Sequence, residues 1–363
     1  MARPVLINAR FLTQATTGVQ RYAIEVVKAW DAMLASGELD KKTVNFELVA
    51  PRGALLDLQL RNIPVRQLGR FRGIAWEQLD LPVYAAGSML INLCNSAPLL
   101  KRRQTVTIHD ASVFGFPQAY SFRFRTWYKF LHTVLGMTAQ RILTDSRFAQ
   151  AELIKYCRIP EHRIRMVHLG SDHMNAIPVD KGIISRNGLD KVKFVLAVSS
   201  MSPHKNFQAI VNAIPLMKNN SQIVIAGGLN PRVFNQSAAP LPASVMQLGY
   251  VSDAELRALY EHATCFVYPS FYEGFGLPPL EAMACACPVI VSNAASLPEV
   301  CGDAALYCNP HDAADIAEKI DRLMSDQALR DALRIKALAR ARQFTWAACA
   351  RDTWLAIEAA STH

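Results

Sequence analysis

The sequence predicts an α/β protein built from two doubly wound domains of parallel strands covered by helices. Three observations lead there. Short β-rich runs alternate with helical patterns from end to end. The alternation falls into two series of about half the chain each. At 363 residues the chain is also too long for one simple core.

The first series places strands over 5–8, 44–50, 89–93, 105–109, 141–145 and 165–169, with helices over 19–35, 121–138 and 147–157. The second places strands over 194–199, 222–226, 245–248, 265–269 and 289–292, with helices over 205–217, 253–262, 312–325 and 327–342. The apolar run 264–270 (Thr-Cys-Phe-Val-Tyr-Pro-Ser) reads as a strand. Beyond a Gly-x-Gly turn, 278–284 (Pro-Pro-Leu-Glu-Ala-Met-Ala) reads as a helix. Its prolines stand at the start, where a missing N–H costs little. Residues 172–190 are polar, contain Pro and Gly and have no clear period, so the boundary is set there, with domains 1–181 and 182–345.

Composition removes several classes. No stretch reaches 18 consecutive apolar residues, which argues against a transmembrane helix, and the N-terminus shows no signal-peptide pattern. The eight cysteines are scattered in apolar contexts, and Cys285-Ala-Cys287 fits neither a redox nor a zinc pair. They read as small buried thiols of a reducing compartment, so the expected location is cytoplasmic. Residues 1–181 hold 24 Lys and Arg against 14 Asp and Glu, whereas the remainder is almost neutral within a net charge of +9. A basic half suggests an anionic partner, either nucleic acid or an acidic membrane leaflet. Residues 114–130 interleave Phe122, Phe124, Trp127 and Phe130 with Arg123, Arg125 and Lys129. The plain reading is a helix with one buried face. With Arg70, Arg72 and Lys101-Arg-Arg103, the run also fits peripheral attachment to the inner face of a membrane.

Ligands of open parallel sheets bind outside the carboxyl ends of the strands. The richest such end is 268–283, where Glu273 and Glu281 flank Gly274-Phe275-Gly276. A helix N-terminus leaving a Gly-rich loop suits phosphate, and carboxylates on either side suit hydroxyls. Hydroxyl, phosphate, hydroxyl outlines a nucleotide sugar. A capped, solvated helix start is the plainer alternative. Lys205 follows the strand at 194–198, at a strand-to-helix turn that suits an ammonium beside a diphosphate. His109-Asp110 ends another strand. It either closes a turn or offers an acid or base near neutral pH. Gly18 opens the first helix, but Gly-x-Gly-x-x-Gly is missing there, which counts against a nicotinamide or flavin enzyme. No His-x3-His pair, Asp-x-Asp motif, Walker loop or Gly-x-Ser-x-Gly elbow occurs, so no metal or other cofactor is expected.

These landmarks together resemble the retaining family 4 glycosyltransferases. Glu273 to Glu281 is similar to the family's Glu-x7-Glu motif. Residues 198–206 resemble its donor-phosphate loop and 248–256 its base-contacting segment. Residues 107–110 and 144–149 are similar to its amino-domain landmarks. The opening 17–22 looks most like bacterial mannosyl- and rhamnosyltransferases of polysaccharide assembly. The resemblance implies a GT-B architecture of two Rossmann-like domains facing across a deep cleft. The first domain would bind the acceptor, with helix 346–363 packed back on it, and the second would bind the donor. It implies that Glu281 accepts from the donor ribose and that Glu273 holds the transferred sugar. Lys205 and the N–H groups of 274–277, up to Leu277, would hold the diphosphate. Ser200, His204, Tyr250 and Val251 would also line the donor, Gly18 and Asp110 the acceptor side, and His109 would lie near the reacting sugar. Many members carry an arginine where this chain has Ser199-Ser200.

The expected activity is therefore metal-independent, retaining transfer of a hexose, mannose first, to a glycan hydroxyl. The donor would be GDP-mannose ahead of dTDP-rhamnose or a UDP-sugar. The acceptor would be carried on a lipid diphosphate in exopolysaccharide, O-antigen or lipopolysaccharide synthesis. A nucleotide-sugar epimerase of the same fold is the alternative. A nucleic-acid-binding protein is disfavoured, because no recognised module is present.

Overall fold

A computed structural model describes residues 4–54, 58–198, 202–228, 242 and 244–361. The chain divides into two compact units. The first comprises 1–115, 120–170 and 346–363; the second comprises 116–119 and 171–345. The division after Gly170 falls ahead of the 181/182 boundary expected from composition, because His173 and its neighbours already belong to the second unit.

In the first unit seven parallel strands lie in the order β3-β2-β1-β4-β5-β6-β7. They are β1 (Val5–Asn8), β2 (Phe46–Pro51), β3 (Val65–Leu68), β4 (Leu90–Asn92), β5 (Gln104–Thr107), β6 (Arg141–Thr144) and β7 (Ile164–Met166). Strand β3 was not expected. It is an edge strand whose Arg66 and Gln67 are exposed, so it lacks the apolar run of a buried strand. Helix α1 (Gly18–Ser36) buries Tyr22, Val26, Val27 and Trp30. Its start is tied by the Thr17 N–H, which donates to Gln20 Oε1 at 3.2 Å, and Gly37 in the left-handed region ends it. The last helix, Trp346–Ser361, packs on α1, where the Trp30 indole donates to the Ala350 carbonyl at 2.9 Å.

In the second unit six parallel strands lie in the order β10-β9-β8-β11-β12-β13. They are β8 (Phe194–Val198), β9 (Gln222–Ala226), β10 (Val245–Gly249), β11 (Cys265–Tyr268), β12 (Val289–Ser292) and β13 (Ala305–Cys308), the last also unforeseen. Its core joins Val195, Ile223, Val267 and Ile290 of the sheet to Ile316, Ile320 and Leu323 of the helix Ala313–Ser325. The expected helix 205–217 is shorter. Asn206 sits at φ 55°, so Lys205 ends a 3-10 turn and the α-helix runs over Phe207–Ala213. In each sheet the winding reverses once, between β1 and β4 and between β8 and β11, which makes the carboxyl ends of those pairs the places for ligands.

Candidate active site

The switch point of the second unit joins two loops, one leaving β8 and one leaving β11. Lys205 comes from the first and Glu273 from the second. The Lys205 ammonium donates to Glu273 Oε1 and Oε2, both at 2.8 Å, and to Tyr268 Oη at 2.9 Å. The side chains are 17% and 8% exposed, so this is a buried pair. Burial alone would lower the Lys205 pKa. The carboxylate and phenol overcome that and hold it well above the ordinary lysine range. Burial, and then the Glu273 charge, push Tyr268 above the usual phenol range.

The loop 269–276 is held by its surroundings rather than by its own sequence. Asn206 Nδ2 donates to the carbonyls of Pro269 (2.9 Å) and Pro310 (2.7 Å). Ser292 Oγ reaches the Ser270 carbonyl, and Phe271 N donates to His204 O at 2.8 Å. The Ser296 hydroxyl lies 3.0 Å from the Glu273 carbonyl and 2.7 Å from that of Phe275. Gly276 sits at φ 109°, and a Cβ there would meet Leu297 Cδ2 at 2.6 Å. Only glycine fits this turn.

Helix Leu277–Ala284 starts at this glycine. Pro278 and Pro279 carry no N–H, so Leu277 supplies the donor of the first three helical positions. Glu281 falls in the second turn of this helix. It is also paired: His173 Nε2 lies 3.2 Å from Glu281 Oε1, with both side chains buried. Nothing in the sequence marked His173, which stands in the polar stretch read as a boundary. Tyr250 is 80% exposed just beyond β10, and Val251 beside it is half-buried. His204 is half-buried with Phe116 edge-on at 6.2 Å. Ser200 lies outside the described residues.

Both ring nitrogens of His109 are engaged within the first unit. Its Nδ1 pairs with Asp145 Oδ2 at 2.7 Å, its Nε2 with the Leu93 carbonyl at 3.0 Å, and Tyr22 stands edge-on at 4.8 Å. Both partners are acceptors, which suits an imidazolium donating twice. Burial opposes its charge, yet Asp145 and the carbonyl raise its pKa. Asp110 closes a turn, with Oδ1 accepting from Ser112 N at 2.7 Å. Gly18 is the exposed first residue of α1. At the β1/β4 switch point stands a network the sequence did not announce. Glu77 Oε1 accepts from Asn8 (2.8 Å), Arg10 (3.1 Å) and Ser96 (3.0 Å), while Arg10 also donates to Ser96 (2.7 Å).

Comparison with known proteins decides the family. The family described as "Glycosyl transferases group 1" matches residues 181–340. O-antigen chain mannosyltransferase B of Escherichia coli is 36% identical over 263 residues, 69% of each chain. O-antigen chain mannosyltransferase RfbU of Salmonella typhimurium is 31% identical over 321 residues, 85% of this chain and 87% of that one. The chain belongs to the group 1 glycosyl transferases. This glycosyltransferase also shares its fold with HepE of Anabaena in complex with UDP-glucose (TM-score 0.76, 16% identity, 99% and 100% of the two chains). Sucrose-phosphate synthase of Thermosynechococcus elongatus is similar as well (TM-score 0.73, 20% identity, 98% of each). The family and the two parallel-sheet units bear out the glycosyltransferase reading and the GT-B architecture over the epimerase and nucleic-acid alternatives. Among the described residues no helix is long and apolar enough to cross a membrane.

Proposed function

We propose that this glycosyltransferase moves mannose, with retention and without a metal, from GDP-mannose to a glycan hydroxyl during O-antigen assembly. The acceptor is carried on a lipid diphosphate, and the enzyme works peripherally on the membrane that holds it. The second unit takes the donor and the first the acceptor. The carrying observation is the Lys205–Tyr268–Glu273 cluster at the β8/β11 switch point. The choice of mannose is supported by the E. coli and Salmonella relatives, both described as O-antigen mannosyltransferases.

In the free enzyme Lys205 spends its three N–H bonds on Glu273 and Tyr268. Donor binding redistributes them. The ammonium turns toward the diphosphate, joined by the Leu277 N–H at the start of helix Leu277–Ala284, and Glu273 is released to accept from sugar hydroxyls. Glu281, steadied by His173, accepts from the ribose. The anomeric C–O bond then breaks with oxocarbenium character, and its electrons go to the diphosphate that Lys205 stabilises. The acceptor oxygen bonds to the same face of the anomeric carbon, and its proton passes to the leaving phosphate oxygen. His109 supports the strand ends of the first unit as a positioning residue.

The test is a thermal-shift screen of GDP-mannose, dTDP-rhamnose and UDP-sugars, followed by transfer to isolated lipid-linked glycan. GDP-mannose should give the largest shift, with GDP released in step with product of unchanged anomeric configuration. A larger shift with another donor, or an inverted product, would overturn this reading.

A further inference from the structure

A cavity of about 550 Å³ opens in the first unit, lined by Arg102, Arg103, Met137, Thr138, Gln140 and Arg163. Arg102 and Arg103 lead into β5, Gln140 precedes β6, and Arg163 precedes β7. The cavity therefore lies at the amino ends of these strands, whereas His109 and Asp145 lie at the carboxyl ends of β5 and β6. It is separate from the β1/β4 switch point of its own unit, and its size is that of a small-molecule site.

Its charge is unanswered. Among the described residues none of the three arginines is paired with a carboxylate. Arg163 Nη1 donates to the Met137 carbonyl at 2.8 Å, which fixes the side chain against the wall, and the Gln140 amide donates to the Ala360 carbonyl. Arg102 and Arg103 are exposed. Nearby Lys101 is buried with its ammonium on the Ala85 carbonyl. Its pKa is lowered by burial and by Arg103, as a locally positive field requires.

We propose that this cavity is a second anion site, which takes a phosphate-bearing group through Arg102, Arg103 and Arg163. Guanidinium forks match phosphate oxygens in pairs, and three arginines line this one cavity with no carboxylate among its lining residues. The rim favours a lipid headgroup as the source. Met137 of the lining is 60% exposed, and Leu100, two residues before Arg102 in the chain, is 89% exposed, so apolar side chains accompany the cations. A soluble phosphate compound would share the arginines and leave those side chains unused.

The test uses the full chain and the Arg102→Gln/Arg103→Gln variant. Phenylglyoxal labelling, located by peptide mass spectrometry, is run with inorganic pyrophosphate and with vesicles of phosphatidylglycerol or of phosphatidylcholine alone. Both arginines should be protected by pyrophosphate and by anionic vesicles but not by neutral ones. The variant should partition onto anionic vesicles roughly 30-fold less, the effect of removing two cations near a charged surface. Its nucleotide-sugar thermal shift should be unchanged. Protection by pyrophosphate alone assigns the site to a soluble phosphate compound. Arginines that stay reactive under both anions, or a variant that partitions like wild type, would overturn the proposal even if the enzyme binds membranes elsewhere.

Discussion

Lys205 and Glu273, 68 positions apart, meet through two contacts of 2.8 Å at the β8/β11 switch point. Each is the other's buried counter-charge. Removing one alone strands a buried charge. Lys205→Met should therefore cost about 3–5 kcal/mol of stability, and Lys205→Met/Glu273→Gln should recover much of it. Turnover should fall by about 10²-fold or more in both. Urea unfolding and a transfer assay read the two effects separately. A stable Lys205→Met variant with wild-type turnover would remove the pair from both roles.

Glu281 and His173 make the second pair, at 3.2 Å. If Glu281 accepts from the donor, Glu281→Gln should weaken nucleotide-sugar affinity about tenfold, roughly the value of one hydrogen bond to a charged group. His173→Ala should act in the same direction but less, with kcat little changed, because it only orients the carboxylate. Calorimetric titration with the donor decides. Unchanged affinity in Glu281→Gln would move the ribose contact elsewhere.

The pairing of these residues explains what could be read in the sequence. Period and apolar runs place eleven of the strands, because buried parallel strands are continuous apolar segments. They miss β3, whose exposed Arg66 and Gln67 hide it, and β13, a four-residue strand with two half-buried positions. Motif spacing finds Lys205, Glu273 and Glu281. It cannot find His173, Tyr268 or the Glu77–Arg10 network, since those depend on which loops the sheet order brings together. For His109 the residue is legible and the role is not. Only the structure shows that Asp145 and the Leu93 carbonyl occupy both nitrogens.

The His109–Asp145 contact has a pH signature. The His109 pKa is raised in the folded protein, with Asp145 and the Leu93 carbonyl outweighing burial. Its stabilisation is therefore complete below the unfolded histidine value of about 6.5 and is lost as pH rises through the raised folded value. Wild type should lose stability from pH 6 upward relative to His109→Gln, whose pH profile should be flatter there. Urea midpoints across that range measure it. Parallel profiles would mean that His109 has the same pKa folded and unfolded, and a wild type that gains stability as pH rises toward about 6.5 would mean that His109 is neutral in the fold.

Gly276 carries the most exacting backbone in the site. At φ 109° any side chain is strained, at a cost of about 1–3 kcal/mol. The added Cβ would also stand 2.6 Å from Leu297 Cδ2, a side chain with no exposure to yield into. Gly276→Ala should therefore lower stability and displace the start of helix Leu277–Ala284, so donor affinity falls with it. Ser296→Ala provides the contrast, since it removes only the hydroxyl beside the Glu273 and Phe275 carbonyls. It should cost about 1 kcal/mol and leave the glycine turn unstrained. Unfolding midpoints and donor titrations on both variants separate strain from lost hydrogen bonding. A Gly276→Ala protein that binds donor like wild type would show that the turn does not position the diphosphate.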